Sequence, residues 1–350
     1  MAFEPTERVP IGRTGLSVTR LGFGAASIGG VFDLVDDRDG LATIDHGWDV
    51  GIRYFDVAPL YGYGTAERRL GRVLGGHRRD EFVLSTKVGK LVRRIDEVEP
   101  GADVDRDAFG DRRDADPNAD SGYRVVFDFS RDGILRSVEE SLRRLGLDRI
   151  DILYLHDPDE HWEVAIGEAY PALHRLREEG VVRAIGAGMN QSAMLARFAR
   201  EGDFDVFLLA GRYTLLDQDA LSELLPTCLE RNVAIVIGGV MNSGILAAPG
   251  QDGRFNYKPA PPAIVERARL LAAACARHDV PLKAAAIQFP LAHPAVVSVV
   301  AGAGRIEHLD DYPESMRRHI PAELWDDLRN EGLLAAAAPV PGVVNGTTAV

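Results

Sequence analysis

The sequence predicts an α/β chain closed into a (β/α)8 TIM barrel, with a β-hairpin cap at its N-terminus and long loops at the face where the strands end. Three observations carry that expectation. Eight short runs are apolar almost without interruption, the pattern of strands buried on both faces. They alternate with amphipathic stretches at helical spacing, the pattern of parallel strands with helices outside. No shift in composition divides the chain, so residues 1–350 read as one unit with its core at residues 9–332.

The elements follow in order. Val9 to Val18 carry Gly12-Arg13-Thr14-Gly15, a turn between two strand-like pieces that reads as a capping hairpin. Leu21 to Gly24 is the first barrel strand, and Arg38 to Val50 the helix after it. Arg53 to Val57 and Phe82 to Lys87 are the next two strands, with a helix over Ala66 to Leu74 between them. Residues 90–129 break the rhythm: they are rich in Asp, Arg and Gly and read as a long loop at the active face. Ser130 then caps a helix marked by Ile134, Val138 and Leu145, which Gly146 ends. Ile150 to Leu155, Val182 to Ala187, Val206 to Ala210, Ala234 to Ile237 and Val296 to Val300 complete the eight strands. From Ala335 the chain is Ala-, Val-, Gly- and Pro-rich, which predicts a flexible tail over 335–350.

Composition bounds the function. A chain of 350 residues, 46% hydrophobic and 27% charged, builds a sizeable core. A net charge of −13 with no basic stripe excludes a nucleic-acid partner held through phosphates. The opening residues M-A-F-E-P-T-E lack the basic start and apolar centre of a signal peptide, and no apolar run reaches membrane-spanning length. These points predict a cytoplasmic protein acting on a small molecule, with no membrane partner, as a monomer or homodimer. Cys228 and Cys275 lie in helical segments without metal-ligand spacing, so no metal is expected.

In such a barrel the C-terminal strand ends form the active face. The second strand brings Asp56 and, in the turn beyond it, Tyr61; the third brings Lys87; the fourth brings His156. Singly, Lys87 reads as a surface cation and His156 as a satisfied strand-end histidine. Four such groups on three consecutive strand ends read as a site. A phenol ionises near pH 10 in water, too high for ready exchange at neutral pH. An adjacent ammonium favours the phenolate, so Lys87, held by Asp56, is expected to lower the Tyr61 pKa and make it a general acid or base. His156 is placed to orient a substrate oxygen. A barrel isomerase or aldolase with Lys87 as a Schiff-base amine is the rival enzyme class.

These residues, carried by D-V-A-x-x-Y-G, S-T-K-V-G and Y-L-H-D, resemble the tetrad of the aldo-keto reductases. The resemblance spans residues 9–332 and includes I-G-R-T-G-L-x-V-T-R-L-G-F-G near the start. It implies hydride transfer between NAD(P) and a carbonyl or alcohol carbon, with the cofactor on the open barrel face and no Gly-rich dinucleotide turn. By the same resemblance Gly24, Ala25, Asn190, Tyr213, Ser243, Gly244, Gly302, Ala303, Gly304, Arg305, His308 and Asp311 are cofactor contacts. Tyr213 is expected to stack on the nicotinamide, Ser243 and Gly244 to meet the pyrophosphate, Asp311 to meet the adenine. Met189 stands where a serine is usual, and L-L-A-G-R-Y lacks the usual glutamine before the tyrosine. Gly302, Gly304 and His308 stand in the last loop, where NADP-preferring relatives carry a lysine or arginine, so NAD is the expected preference and NADP the alternative.

Within the family, F-D-x-S-R-D-G-I-L-R-S-x-E-x-S-L and Y-L-H-D-P-D are most similar to the sugar and pyridoxal dehydrogenases of the L-fucose and D-threo-aldose type. That implies oxidation of an aldose at its anomeric hydroxyl to a lactone, with Phe23, Trp162 and residues 90–129 in the pocket wall. Pyridoxal 4-dehydrogenation and general aldehyde or ketone reduction are the alternatives, and a non-catalytic nucleotide-sensing barrel subunit is the reading from another class.

Overall fold

The computed structural model describes residues 2–105, 122–250 and 253–342. Two short strands, β1 (Arg8–Pro10) and β2 (Ser17–Thr19), pair as the antiparallel hairpin. The barrel begins with β3 (Leu21–Gly24), α1 (Asp37–Asp49), β4 (Tyr54–Asp56), α2 (Thr65–Leu74) and β5 (Val83–Val88). An antiparallel ribbon of β6 (Lys90–Arg94) and β7 (Tyr123–Phe127) follows, then α3 (Arg131–Leu145) and β8 (Ile152–His156). The next layer is α4 (Trp162–Val164), a π turn over Ala165–Ala169, and α5 (Tyr170–Glu178). β9 (Ala184–Met189), α6 (Ala193–Glu201), β10 (Val206–Ala210), α7 (Leu224–Arg231) and β11 (Ala234–Gly238) continue the alternation. A small hairpin of β12 (Arg254–Phe255) and β13 (Lys258–Pro259) precedes α8 (Pro262–Arg277), α9 (Leu282–Gln288), β14 (Val296–Gly302), α10 (Ile306–Arg317) and α11 (Ala322–Asn330).

Eight strands close in the order β3, β4, β5, β8, β9, β10, β11, β14 and back to β3, every pair parallel. All eight predicted strands are present. Their side chains divide with period two. Phe55, Leu84, Leu155, Ile185 and Phe207 face the helices, whereas Tyr54, Val83, Tyr154, Val206 and Val236 fill the barrel interior. Ile11, Leu16 and Val18 of the hairpin region join that interior cluster and plug the barrel where the strands begin. Each such apolar side chain removed from water contributes about 1.5–3 kcal/mol. The plugged end leaves the opposite rim, where the strands finish, as the open face.

Local signals set the helix limits. The Ser130 hydroxyl accepts from the Gly133 N–H at 3.1 Å and starts α3, and Gly146 ends it at φ +64°. No helix among the described residues is long and apolar enough to cross a membrane.

Two expectations change. Within residues 90–129, the flanks pair as the β6–β7 ribbon, because Leu91 and Val125 alternate apolar and become buried. Val125 packs with Ala58, Leu60 and Tyr63, so the ribbon lies on the turn that carries Tyr61. Residues 106–121 lie outside the described residues. The expected tail is not free at its start: Ala338 and Val340 are buried in the main core, and the Arg329 guanidinium donates to the Ala338 carbonyl at 2.9 Å. Residues 343–350 lie outside the described residues.

Candidate active site

The period-two alternation that fills the barrel also aims its last inward residues at the open rim. Asp56 is two residues beyond Tyr54, Lys87 two beyond Ser85, and His156 two beyond Tyr154. Asp56, Lys87 and His156 are all buried. Tyr61 comes from the tight turn after β4, where Gly62 and Gly64 hold φ of +61° and +85°. The turn presses on the segment after β3: a Cβ on Gly62 would stand 2.2 Å from the Gly29 carbonyl oxygen, and one on Gly29 2.8 Å from Tyr61 Cβ. Glycine at both positions permits the approach that lowers the phenol into the rim.

The four side chains converge. Lys87 Nζ donates to Asp56 Oδ2 at 2.7 Å, to the Val57 carbonyl at 3.0 Å and to the Tyr61 hydroxyl at 3.1 Å. All three ammonium donors are thereby used. The His156 ring meets Tyr61 edge-on, with centroids 6.2 Å apart. Behind them runs a buried polar chain that reading the sequence missed. Ser85 Oγ donates to Asp56 Oδ1 at 2.7 Å, the Tyr54 hydroxyl lies 3.1 Å from Ser85 Oγ, and the Tyr154 hydroxyl lies 3.2 Å from that of Tyr54. The signal was available: each member stands on an inward position two residues before a rim residue, and a polar group there needs a partner.

The electrostatics refine the expected roles. Burial alone would push the Lys87 ammonium down, but Asp56 and Tyr61 outweigh it and the net direction is up, so the cation persists. Burial pushes the Tyr61 phenol up, and Lys87 only partly offsets that, against Asp56. The expected lowering of the Tyr61 pKa is therefore corrected: in the protein alone Tyr61 is a neutral acid, with Lys87 as its counterweight. Burial, then Lys90 and Lys87, hold His156 well below its ordinary value, which keeps the imidazole neutral.

Lys90 and Asp157 were also missed. Lys90 Nζ is 3.2 Å from Asp157 Oδ2 and 3.0 Å from Asp105 Oδ2, and its side chain is almost wholly buried. The second lysine of S-T-K-V-G-K and the aspartate of Y-L-H-D were the traces of this pair.

The remaining expected residues divide. Gly24, Ala25, Asn190, Ser243, Gly244, Gly302, Ala303 and Gly304 end or follow β3, β9, β11 and β14 at the open rim, and Arg305 and His308 begin α10 there. Asn190 Nδ2 donates to Asp157 Oδ1 at 3.3 Å. Gly244 is exposed, with open space where a Cβ would be, and Ser243 holds φ +60°. The 12-residue helix α10 starts here without a side-chain cap, its dipole favouring an anion, and the Tyr312 hydroxyl donates to the Gly302 carbonyl at 3.1 Å to brace the loop. This rim suits a phosphate-bearing dinucleotide.

Three expectations fail. Tyr213 is fully buried, packed on Phe289 and His293 with centroids 5.1 and 5.7 Å away, so it offers no free face for stacking. Phe23 alternates outward between Gly22 and Gly24 and packs toward Gly47 of α1 and Phe55, in the helix layer rather than a pocket wall. Trp162 packs on Phe198 at 4.7 Å beneath the Arg197 guanidinium, between α4 and α6. The Asp311 carboxylate is exposed and pairs with Lys283 of α9 through one oxygen.

A plugged parallel barrel whose open rim joins a carboxylate, an ammonium, a phenol and a neutral imidazole has the fold and the candidate site of a barrel enzyme. The chain belongs to the aldo/keto reductase family, whose model matches residues 20–330, and it is an oxidoreductase. It is 46% identical to D-threo-aldose 1-dehydrogenase of a Pseudomonas species over 324 residues, covering 91% of this chain and 96% of that protein. It is 41% identical to pyridoxal 4-dehydrogenase of Microbacterium luteolum over 350 residues, covering 96% of this chain and all of that protein. Among solved structures it is similar to the holo form of aldo-keto reductase AKR11C1 from Bacillus halodurans, with TM-score 0.74, 27% identity and coverage of 95% and 98%.

Proposed function

We propose that the protein oxidises the anomeric hydroxyl of an aldose to the lactone, with NAD as hydride acceptor. The observation that carries this reading is the relay in which Asp56 holds Lys87 and Lys87 contacts the Tyr61 hydroxyl. The relative named for aldose 1-dehydrogenation supports the substrate class. Bound nicotinamide supplies the hydride acceptor. Gly24, Ala25, Asn190, Ser243, Gly244, Gly302, Ala303, Gly304, Arg305 and His308 are the residues proposed to hold the cofactor. Tyr61 takes the anomeric hydroxyl proton and His156 orients that oxygen. To act as that base Tyr61 must first have given up its own proton to solvent; Lys87 stabilises this phenolate, which becomes the neutral phenol on taking the substrate proton, and Asp56 keeps Lys87 charged and in place. The aldose thus loses a hydride and a proton, giving the lactone and NADH. Arg305 alone would face a 2′-phosphate, which favours NAD over NADP.

A panel of aldoses and aldehydes, assayed by NADH absorbance, tests the reading. Aldose-dependent NADH formation that disappears in Tyr61→Phe is expected; an aldose-oxidising Tyr61→Phe enzyme would refute the role of the phenol. Pyridoxal oxidation by the same relay is the second reading, favoured by the relative named for it.

A further inference from the structure

We propose that Asp157, held by Lys90, is a positioning residue that keeps the single proton of His156 on Nε2 and so makes that nitrogen the donor toward substrate oxygen. The inference rests on the reading of His156 as the group that meets that oxygen.

The two ring nitrogens of His156 have unlike surroundings. Nδ1 is buried and has no hydrogen-bond partner among the described residues. Nε2 faces Asp157 Oδ2 at 3.6 Å. A proton on Nδ1 would be a buried donor without an acceptor, which is unfavourable. A proton on Nε2 faces a carboxylate instead. At 3.6 Å the contact is too long for a hydrogen bond but close enough for charge attraction, so the N–H is oriented without being consumed. In most histidine sites a partner on the second nitrogen sets the tautomer. Here the same side of the ring is served twice, by Asp157 at rest and by substrate in the reaction.

Asp157 is itself built in. Its backbone holds φ +44°, in the left-handed region, where its N–H donates to the Gly188 carbonyl at 3.0 Å. One carboxylate oxygen meets Lys90 at 3.2 Å and the other accepts from Asn190 at 3.3 Å. Lys90 also meets Asp105 of the excursion after β6 at 3.0 Å, and its ammonium lies 5.2 Å from the Phe127 ring centroid. A second tie, His161 Nε2 to Asp103 at 2.7 Å, anchors the same excursion to the segment after β8. The excursion is thus linked through Lys90 and Asp157 to the orientation of the imidazole.

Nitrogen-15 spectra of histidine-labelled protein, without cofactor or substrate, read the tautomer directly. The His156 signal is assigned as the one missing from His156→Gln. The wild type is expected to carry the proton on Nε2. Asp157→Asn keeps the contact to Asn190 but removes the charge, so the proton shifts toward Nδ1. Its kcat/KM for the active substrate should fall about 10- to 100-fold while the KM for cofactor changes less than about threefold. Lys90→Met should shift the tautomer in the same direction and Lys90→Arg should restore it. A wild-type proton on Nδ1 overturns the proposal, as does an Asp157→Asn protein with unchanged tautomer and unchanged kcat/KM. An inactive wild type with the Nε2 tautomer would instead refute the proposed reaction and leave this inference standing.

Discussion

Replacing Lys87 by methionine tests the relay at its centre. Lys87 Nζ lies 3.1 Å from the Tyr61 oxygen, and its removal leaves burial, Asp56 and Asp157, all of which oppose the phenolate. With an effective dielectric of about 20, two charges at that distance attract by about 5 kcal/mol. Tyr61 is half-buried, so solvent screens part of this, and roughly 3 kcal/mol survives, or about two decades in rate. The substitution also leaves the buried Asp56 carboxylate without its cation, a loss of about 3–5 kcal/mol in stability. Far-UV circular dichroism and thermal melting must therefore show a folded protein before rates are compared. The assay is the initial rate of NADH formation from the best aldose across pH. Oxidation needs the phenolate, so its rate rises with pH through the Tyr61 ionisation. Removing a cation raises that ionisation, so the rise in Lys87→Met should move to higher pH, with a loss of about 100-fold at neutral pH. A folded variant losing less than about threefold, or a rise displaced to lower pH, would refute the relay.

The other predictions are structural or concern specificity. Gly186→Ala should cost at least about 1–3 kcal/mol, because its Cβ would stand 1.7 Å from the Val206 carbonyl oxygen in the neighbouring strand; an unchanged melting temperature would contradict that packing. Trp162→Ala should lower stability by about 3–5 kcal/mol yet leave kcat/KM within about twofold, and a large rise in KM for substrate would return Trp162 to the pocket wall. Burial holds His293 down to about 4. The unfolded chain then binds that proton more readily between about pH 4 and 6.5, so this stabilisation falls as pH drops through that window. Denaturation midpoints should show a loss of about 2 kcal/mol between pH 7 and pH 5 that His293→Gln lacks, and equal losses in both proteins would exclude His293 as the cause. kcat/KM with NAD should exceed that with NADP, and Gly304→Arg should narrow the gap; a wild type favouring NADP by more than about tenfold would overturn the cofactor assignment.

The sequence by itself determined the barrel and the convergence of Asp56, Tyr61, Lys87 and His156. Eight continuous apolar runs can be buried on both faces only with helices outside, and parallel strands bring their C-terminal ends to one rim whatever lies between them. The direction of each side chain, by contrast, was a tertiary matter. Phe23 sits beside a rim glycine in sequence but alternates into the helix layer, and Tyr213 turns away after β10 into a cluster with Phe289 and His293. The Lys90–Asp157–Asp105 contacts join residues from three separate segments, and no local spacing encodes them. The net direction of the Tyr61 ionisation was likewise undecidable from residue types. It is the difference between desolvation and the pull of an ammonium, and only the burial of the phenol and its separation from Lys87 say which is larger.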